Sequence, residues 1–290
     1  MASNRLLHSP RFVEWGIRID RAPAWWWLAA QAAALWPIWV WSARRMVDGS
    51  DDPLGILALG GIALVAWQAR KELRASPRLG WLALGMAGTL TATVGTLGLP
   101  PLLTGLIAVL ALACTLLAFL PARIAGLAIA GLAVLALPLL SSLQFYAGYP
   151  LRVVTAEASR WLLCLGFEVQ REGTALLVDG RLVIVDAPCS GVQMAWFGYF
   201  TACATALWAG RTSREMLLRL PVVSAVVLTG NVLRNAVLVA CEGAGAPLPP
   251  WAHAGFGLLV LALVCSAVAF VFTCCSLNLA RLGGRHAHAA

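Results

Sequence analysis

The sequence predicts an all-α polytopic membrane protein with about eight transmembrane helices and a small extracytoplasmic α/β insertion. Its 290 residues are 60% hydrophobic and only 12% charged, and the mean hydropathy is +0.81. A soluble domain is about half apolar and about a quarter charged. The apolar runs are long and do not alternate with polar residues, so helices rather than a closed barrel satisfy the backbone in lipid.

Eight apolar segments follow one another along the chain, and we expect each to cross the membrane. They run over 24–43, 54–69, 79–98, 101–120, 123–146, 188–210, 217–241 and 252–279. A span needs about 20 residues, and the second segment is shorter. Whether it crosses the membrane completely is left open. The first five form an N-terminal transmembrane bundle over 24–146, and the last three occupy 188–280.

The basic residues set the orientation of these spans. With eight spans, 14 of the 21 Lys and Arg residues fall on one side of the membrane and six on the other, which also carries nine of the 13 acids. Because Lys and Arg concentrate on the cytoplasmic side, the tails 1–23 and 281–290 are predicted to be cytoplasmic. The net charge of +8 therefore reflects membrane topology. No basic patch interleaved with aromatic residues indicates nucleic-acid binding.

The connection 147–187 is the one sizeable extramembrane piece, and the charge bias places it outside. Its first part, PLRVVTAEASRWLLCLG, predicts a short amphipathic helix that stops at Gly166. The following FEVQREGTALLVDGRLVIVD predicts two or three short strands, with Asp179-Gly180 as a hairpin turn. A structural cap on the helical bundle is the simplest interpretation of this insertion.

Cys189 follows the insertion directly, in the stretch VDAPCSGVQMAWFGYF. Pro188 suits the first turn of a helix, so Cys189 is predicted at the outer N-terminus of the sixth span. A helix N-terminus favours the thiolate, and we therefore expect a lowered pKa for Cys189. Gly191 leaves room for a substrate backbone. The alternative is a cysteine that only packs, as the cysteines within the apolar runs do.

Arg234 lies inside the seventh span, in TGNVLRNAVLVAC. An arginine in a membrane segment costs roughly +2.5 to +3.5 kcal/mol on insertion scales, and such residues usually face the protein interior and mark function. Asn231 and Asn235 flank it. A snorkelling or purely structural arginine is the alternative.

His253 stands in PLPPWAHAGFG, in the first turn of the eighth span. Histidine exchanges protons near neutral pH, although a lone histidine at this place is more often structural. The predicted topology brings Cys189, Arg234 and His253 to the outer half of the membrane on three consecutive spans. They supply a nucleophile, a stabiliser for an oxyanion and a proton carrier, which suits acyl transfer from a peptide bond. No residue pattern requires a metal or an organic cofactor, and none is expected.

At these residues the chain resembles the exosortase/archaeosortase family of multi-pass membrane transpeptidases. The matching stretches are APCSG around Cys189, NVLRN around Arg234 and HAGFG from His253, with PLLSSLQFYAGYPLR (138–152) upstream. The resemblance covers about residues 120–280. Pro188 stands where alanine is expected more often, which leaves the subgroup and the substrate choice open.

The resemblance implies that the chain cleaves the C-terminal sorting signal of secreted proteins, which combines a short motif, an apolar helix and a basic tail. It implies that Cys189 forms a thioester, Arg234 stabilises the oxyanion and His253 protonates the leaving amine. Ser190, Gly191 and Asn231 are expected to contribute around the substrate. The enzyme would sit among lipids of the cell inner membrane, with its site facing the periplasm and spans 188–280 as its catalytic helices.

Two other functions fit the sequence. A multi-pass transporter would use Arg234 to bind an anionic solute, near the middle of the membrane rather than at its rim. A membrane thiol–disulfide oxidoreductase would pair Cys189 with Cys241 or Cys164. A structural membrane subunit ranks behind both, because it leaves the three reactive residues on one face unexplained. The sorting motif, the acceptor (amine or water) and the oligomeric state are not predicted.

Overall fold

The computed structural model describes residues 23–49 and 51–274, without the side chains of residues 187 and 188. The predicted tail 281–290, the predicted tail 1–23 apart from Pro23, and residues 275–279 of the eighth apolar segment lie outside the described residues. The chain divides after Leu139 into two compact units.

The described part of the first unit is entirely helical. Its helices are α1 (Ala24–Ala34), α2 (Trp36–Val47), α3 (Gly55–Gln68), α4 (Leu79–Gly95), α5 (Pro101–Phe119) and α6 (Gly126–Leu135). Helix α5 packs against α1, α2, α4 and α6. Two buried clusters hold these helices together: Leu35, Ile38, Ala92 and Ala108 form one, and Leu82, Ala118 and Phe119 the other.

Prolines divide two of the predicted spans. The first predicted span, 24–43, is two helices, because Pro37 has no N–H to continue the hydrogen bonding of α1 and starts α2 instead. The fifth predicted span, 123–146, is likewise interrupted: α6 ends at Leu135, Pro138 follows, and a new helix starts at Leu140. A single helix over 123–146 is therefore wrong.

The second unit combines four helices with a small sheet in its described part. Its elements are α7 (Leu140–Leu163), β1 (Val169–Glu172), β2 (Ala175–Val178), β3 (Arg181–Ile184), a 3₁₀ helix (Ala187–Ser190), α8 (Val192–Trp208), α9 (Ser213–Gly243) and α10 (Pro250–Thr273). Helix α7 runs through the predicted boundary at residue 147, so the amphipathic helix expected from 150 is the second half of a longer one. Helix α8 begins four residues later than the predicted 188.

The three strands form an antiparallel meander in the order β1-β2-β3. Asp179 and Gly180 both have positive φ, 46° and 83°, and join Val178 to Arg181 in the register of a two-residue hairpin. The predicted hairpin turn is confirmed. The inner face of the sheet packs on α7 and α9 in one buried cluster: Ala156, Leu163, Val169, Leu176, Val178, Val183, Val185 and Val239.

Helix α9 begins earlier than its hydropathy suggests, because Thr212 and Glu215 cap it. The Thr212 hydroxyl accepts a hydrogen bond from the Glu215 N–H at 3.2 Å, and the Glu215 carboxylate accepts one from the Thr212 N–H at 2.9 Å. The resulting helix of 31 residues is the longest in the described chain.

Among the described residues, three helices are long and apolar enough to cross a membrane: α5, α9 and α10. A fourth crossing results if α6 and α7 together make one broken span. Helices α3 and α4 are apolar but have 14 and 17 residues. The mostly helical fold with a small sheet is as predicted, and the count of eight spans stays a prediction.

Candidate active site

Cys189 lies on the short 3₁₀ helix that leads from the sheet into α8. Its N–H donates to the Asp186 carbonyl at 2.9 Å, and Gly191, with φ of +82°, turns the chain into α8. Cys189 is half-buried and packs against the cluster under the sheet. Cys189 therefore lies close to the N-terminus of α8, as expected, and precedes the left-handed turn from which that helix starts.

Asn231 of α9 forms hydrogen bonds that connect the Cys189 segment to α7. Its side-chain amide donates to the Cys189 carbonyl at 3.0 Å and to the Thr155 hydroxyl of α7 at 3.1 Å. Asn231 and Thr155 are buried. A Cβ placed on Gly191 would lie 2.8 Å from Cγ and Nδ2 of Asn231, so only glycine allows this approach. Gly191 thus serves the contact with Asn231 as well as the turn.

Ser190 ties the same segment to α7 a second time. Its hydroxyl donates to Oε1 of Gln144 at 2.7 Å and accepts from the N–H of Val192 at 3.3 Å. Ser190 is buried, and the hydroxyl satisfies one of the free N–H groups at the start of α8. Side chains from α7 and α9 therefore fix the Cys189 carbonyl and the residue that follows it.

A second polar contact joins α7 and α9 one turn further along. Asn235 donates to the Ser159 hydroxyl at 3.0 Å, as Asn231 donates to that of Thr155. The partners are 76 residues apart in both pairs, so the two helices run in the same direction. Gln144, Thr155 and Ser159 were missed in the sequence analysis. Their four-residue spacing from Thr155 to Ser159, which matches that from Asn231 to Asn235, was the available signal.

Arg234 lies between the Cys189 segment and α10. Its positive charge acts on the Cys189 thiol and lowers the pKa of that group. Its guanidinium lies against Gly257 of α10, where an added Cβ would be 3.2 Å from Nε and 3.3 Å from the nearer Nη. The absence of a side chain at Gly257 therefore makes the space that Arg234 occupies.

His253 lies in the first turn of α10 with an exposed side chain. Its backbone N–H donates to the Pro249 carbonyl at 3.0 Å. Because residues four apart share a helix face, His253 is on the face of α10 that carries Gly257 and meets Arg234. Asn231 thus hydrogen-bonds to Cys189 and the Arg234 charge acts on its thiol, while His253 lies one helical turn from the contact between Gly257 and Arg234.

Burial raises the pKa of the Cys189 thiol above its ordinary value of 9.0. The Arg234 charge and a hydrogen bond from the Asp186 backbone oppose this increase, whereas the carboxylates of Asp186 and Glu242 add to it. The predicted lowering of this pKa is wrong, because loss of water around the thiol outweighs the favourable charges. A nucleophilic role for this group therefore requires a base that takes up the thiol proton.

The described cysteines are all free thiols, Cys164, Cys189 and Cys241 among them. Within that part of the chain, no disulfide joins Cys189 to either partner that an oxidoreductase would use.

Residues 41–271 match a family model described as transmembrane exosortase (Exosortase_EpsH). The chain belongs to the transmembrane exosortase family. The predicted family is therefore confirmed, and the match extends well before residue 120 into the first unit. No curated protein and no solved structure matches the chain.

Membership in the exosortase family, together with the long apolar helices, makes the chain a multi-pass membrane protein. It also supports a membrane transpeptidase or protease in general. The matched range contains the insertion, the Cys189 segment, Arg234 and His253.

Proposed function

We propose that the chain is a membrane cysteine peptidase or transpeptidase that cleaves the C-terminal sorting signal of secreted proteins through a thioester. The observation that carries this proposal is the family match over residues 41–271, which spans the cluster of Cys189, Asn231 and Arg234. The site would face the periplasm from the cell inner membrane, with both termini in the cytoplasm.

The first chemical step forms a bond between the Cys189 sulfur and the scissile carbonyl carbon. The thiol proton leaves as the sulfur attacks, and His253 is the candidate base because it is exposed and lies one helical turn before Gly257, which contacts Arg234. The carbonyl oxygen becomes an oxyanion, and the Arg234 guanidinium stabilises this charge. Asn231 holds the Cys189 carbonyl, so the thiol keeps its orientation during the attack.

The second step breaks the carbon–nitrogen bond. The oxyanion re-forms its carbonyl, the amine leaves with a proton from His253, and the acyl group stays on Cys189 as a thioester. An amine acceptor then gives transpeptidation and water gives hydrolysis, while sulfur leaves as the thiol.

The raised pKa of Cys189 fits this order of events. A raised pKa disfavours reaction with incidental electrophiles, and the thiol loses its proton when a base acts on it beside the Arg234 charge. His253 and Arg234 must therefore lower the activation barrier by more than they would for a thiol that is already ionised.

A processing assay in membranes tests the proposal. An anchored substrate candidate with a motif, an apolar helix and a basic tail is co-expressed with wild type, Cys189→Ala, Arg234→Ala or His253→Ala, and its size is followed on a gel. Cys203→Ala is the matched control, since Cys203 is a buried thiol of α8 that touches no proposed reacting group.

We expect wild type and Cys203→Ala to trim the substrate and Cys189→Ala to leave it intact. Retained trimming by well-expressed Cys189→Ala would show that the thiol is structural. The transporter function would then be the next to test, by measuring uptake of anionic solutes with and without Arg234.

A further inference from the structure

The β3 strand lies at the open edge of the small sheet. The order β1-β2-β3 gives β3 a single neighbouring strand among the described residues. Val185 donates its N–H to the Thr174 carbonyl at 3.0 Å, and the register pairs Val183 with Leu176. Because hydrogen-bonded pairs alternate along antiparallel strands, Val183 and Val185 direct their backbone groups toward β2.

Leu182 and Ile184, the intervening residues, direct their N–H and C=O groups away from β2. In the part of the chain that the structure describes, these outward groups meet no hydrogen-bond partner. Leu182 is 64% exposed and Ile184 56% exposed. The β3 edge therefore presents the N–H and C=O groups of two residues, spaced two residues apart along the strand, beside two exposed apolar side chains.

The opposite edge of the sheet is less accessible. On β1, Val169 and Arg171 are the residues whose backbone groups point away from β2, since Asp179 donates its N–H to the Glu168 carbonyl. Val169 is buried under α7, and the Arg171 guanidinium binds Glu157 at 2.5 Å. The available edge is thus that of β3.

β3 also leads directly to the thiol. Only Val185 and Asp186 separate Ile184 from the 3₁₀ helix that carries Cys189. Val185 is buried, and the Asp186 carbonyl accepts the Cys189 N–H, so the strand and the thiol segment form one fixed piece of backbone.

We propose that the peptide substrate binds in extended form along β3 and adds a fourth strand to the sheet. Main-chain hydrogen bonds to Leu182 and Ile184 would hold about three residues of the peptide next to the scissile bond, since an extended chain advances about 3.3 Å per residue. The β3 edge binds main-chain groups, so its ligand is an extended peptide that has no proline at the paired positions. This inference rests on the proposed function and assigns its substrate-binding element.

Disulfide trapping tests the strand pairing separately from cleavage. The starting variant is Cys189→Ala with Cys164→Ser and Cys241→Ser, and the partner is an anchored substrate that wild type is known to trim. Leu182→Cys is combined with single cysteines at successive positions before the apolar helix of the substrate. Gln170→Cys, exposed on β1 of the same sheet, is the matched control.

We expect cross-links from Leu182→Cys at every second substrate position, and few from Gln170→Cys. Equal trapping by the two sites, or trapping at Leu182→Cys without the two-residue period, would overturn the strand pairing while the processing result stands. If wild type trims no anchored substrate, the proposed function fails and this inference fails with it.

A pair of substitutions at Ile184 tests the backbone contribution. Ile184→Ala keeps the outward N–H, whereas Ile184→Pro removes it without touching the ladder to β2. We expect Ile184→Pro to slow processing about two- to tenfold relative to Ile184→Ala, the effect of losing one hydrogen bond. Equal rates in two variants with equal thermal stability would contradict the proposal.

Discussion

At the scale of single residues, Gly191 shows how one position can satisfy two demands. Its φ of +82° belongs to the left-handed region, and its Cα faces the side-chain amide of Asn231 without room for a Cβ. The sequence suggested glycine for substrate access. The structure adds that glycine is needed for the Cys189 segment to reach the amide that holds it.

We therefore predict that Gly191→Ala destabilises the chain by on the order of 1–3 kcal/mol and lowers the alkylation rate of Cys189. Gly180→Ala is the control, because Gly180 has a φ of +83° and no atom within 4 Å of its added Cβ. Thermal unfolding in detergent measures both variants. Equal destabilisation with unchanged alkylation would show that the contact with Asn231 contributes nothing.

The charges around Cys189 predict a specific pH dependence. Arg234 lowers the pKa of the thiol, and Asp186 and Glu242 raise it, so their removal shifts the pKa in opposite directions. Arg234→Ala should shift the pH profile of Cys189 alkylation to higher pH, and Asp186→Asn and Glu242→Gln should shift it to lower pH. A maleimide titration in variants without Cys164 and Cys241 measures this. A profile unmoved by Arg234→Ala would place the guanidinium outside the reach of the thiol.

At the scale of elements, α7 is as much part of the site as α9 and α10. It supplies Thr155 and Gln144, which reach the backbone of the Cys189 segment through Asn231 and Ser190. Hydropathy ranks residues by their cost in lipid, and threonine and serine lie near the middle of such a scale. Their function depends on which hydroxyl or amide faces them across the helix pair.

The two asparagines of α9 offer a matched comparison. Asn231→Ala and Asn235→Ala each remove a buried hydrogen bond to a hydroxyl of α7 and should each cost about 1–2 kcal/mol. Only Asn231 also holds the Cys189 carbonyl, so only Asn231→Ala should slow substrate trimming and Cys189 alkylation. Similar losses of trimming and alkylation in both variants would show that Asn231 contributes only to the packing of α7 against α9.

The contact of α10 with Arg234 predicts a second element-scale result. Gly257→Leu would displace the guanidinium, whereas Gly255→Leu on the same helix enters open space. We expect the former variant to lower the trimming rate at least about tenfold, in line with loss of an oxyanion donor, and the latter to trim like wild type. Comparable trimming rates of the two variants at comparable expression would show that Arg234 does not contribute to catalysis.

At the scale of the whole molecule, the charge distribution predicts the sides of the membrane. Cys164 and Cys274 are both exposed. Cys164 lies in the predicted outer connection 147–187, and Cys274 lies near the predicted cytoplasmic end of the eighth apolar segment. In single-cysteine variants, a membrane-impermeant maleimide should label Cys164 in intact spheroplasts and Cys274 only after permeabilisation. The reverse pattern would invert the topology and remove Cys189 from the periplasmic side.

Much of the fold could be predicted because its signals are local. The apolar runs, the Asp179-Gly180 turn and the motif around Cys189 each depend on residues adjacent in the chain. Helix ends were predicted less well. The proline breaks before α2 and α7 and the Thr212–Glu215 cap of α9 have recognisable sequence patterns, yet hydropathy averaged over a span conceals them.

By itself, the sequence determined that this is a membrane protein of the exosortase family, with a strand hairpin leading to a cysteine and an arginine in an apolar helix. Composition, hydropathy and short motifs suffice for that, because lipid requires long apolar helices whatever their neighbours. Only the tertiary structure decided that burial raises the pKa of the Cys189 thiol and that Thr155 and Asn231 meet across 76 residues. It also decided that β3 has one neighbouring strand among the described residues. Burial, long-range hydrogen bonds and sheet edges depend on how distant segments pack, and no local stretch of sequence specifies that packing.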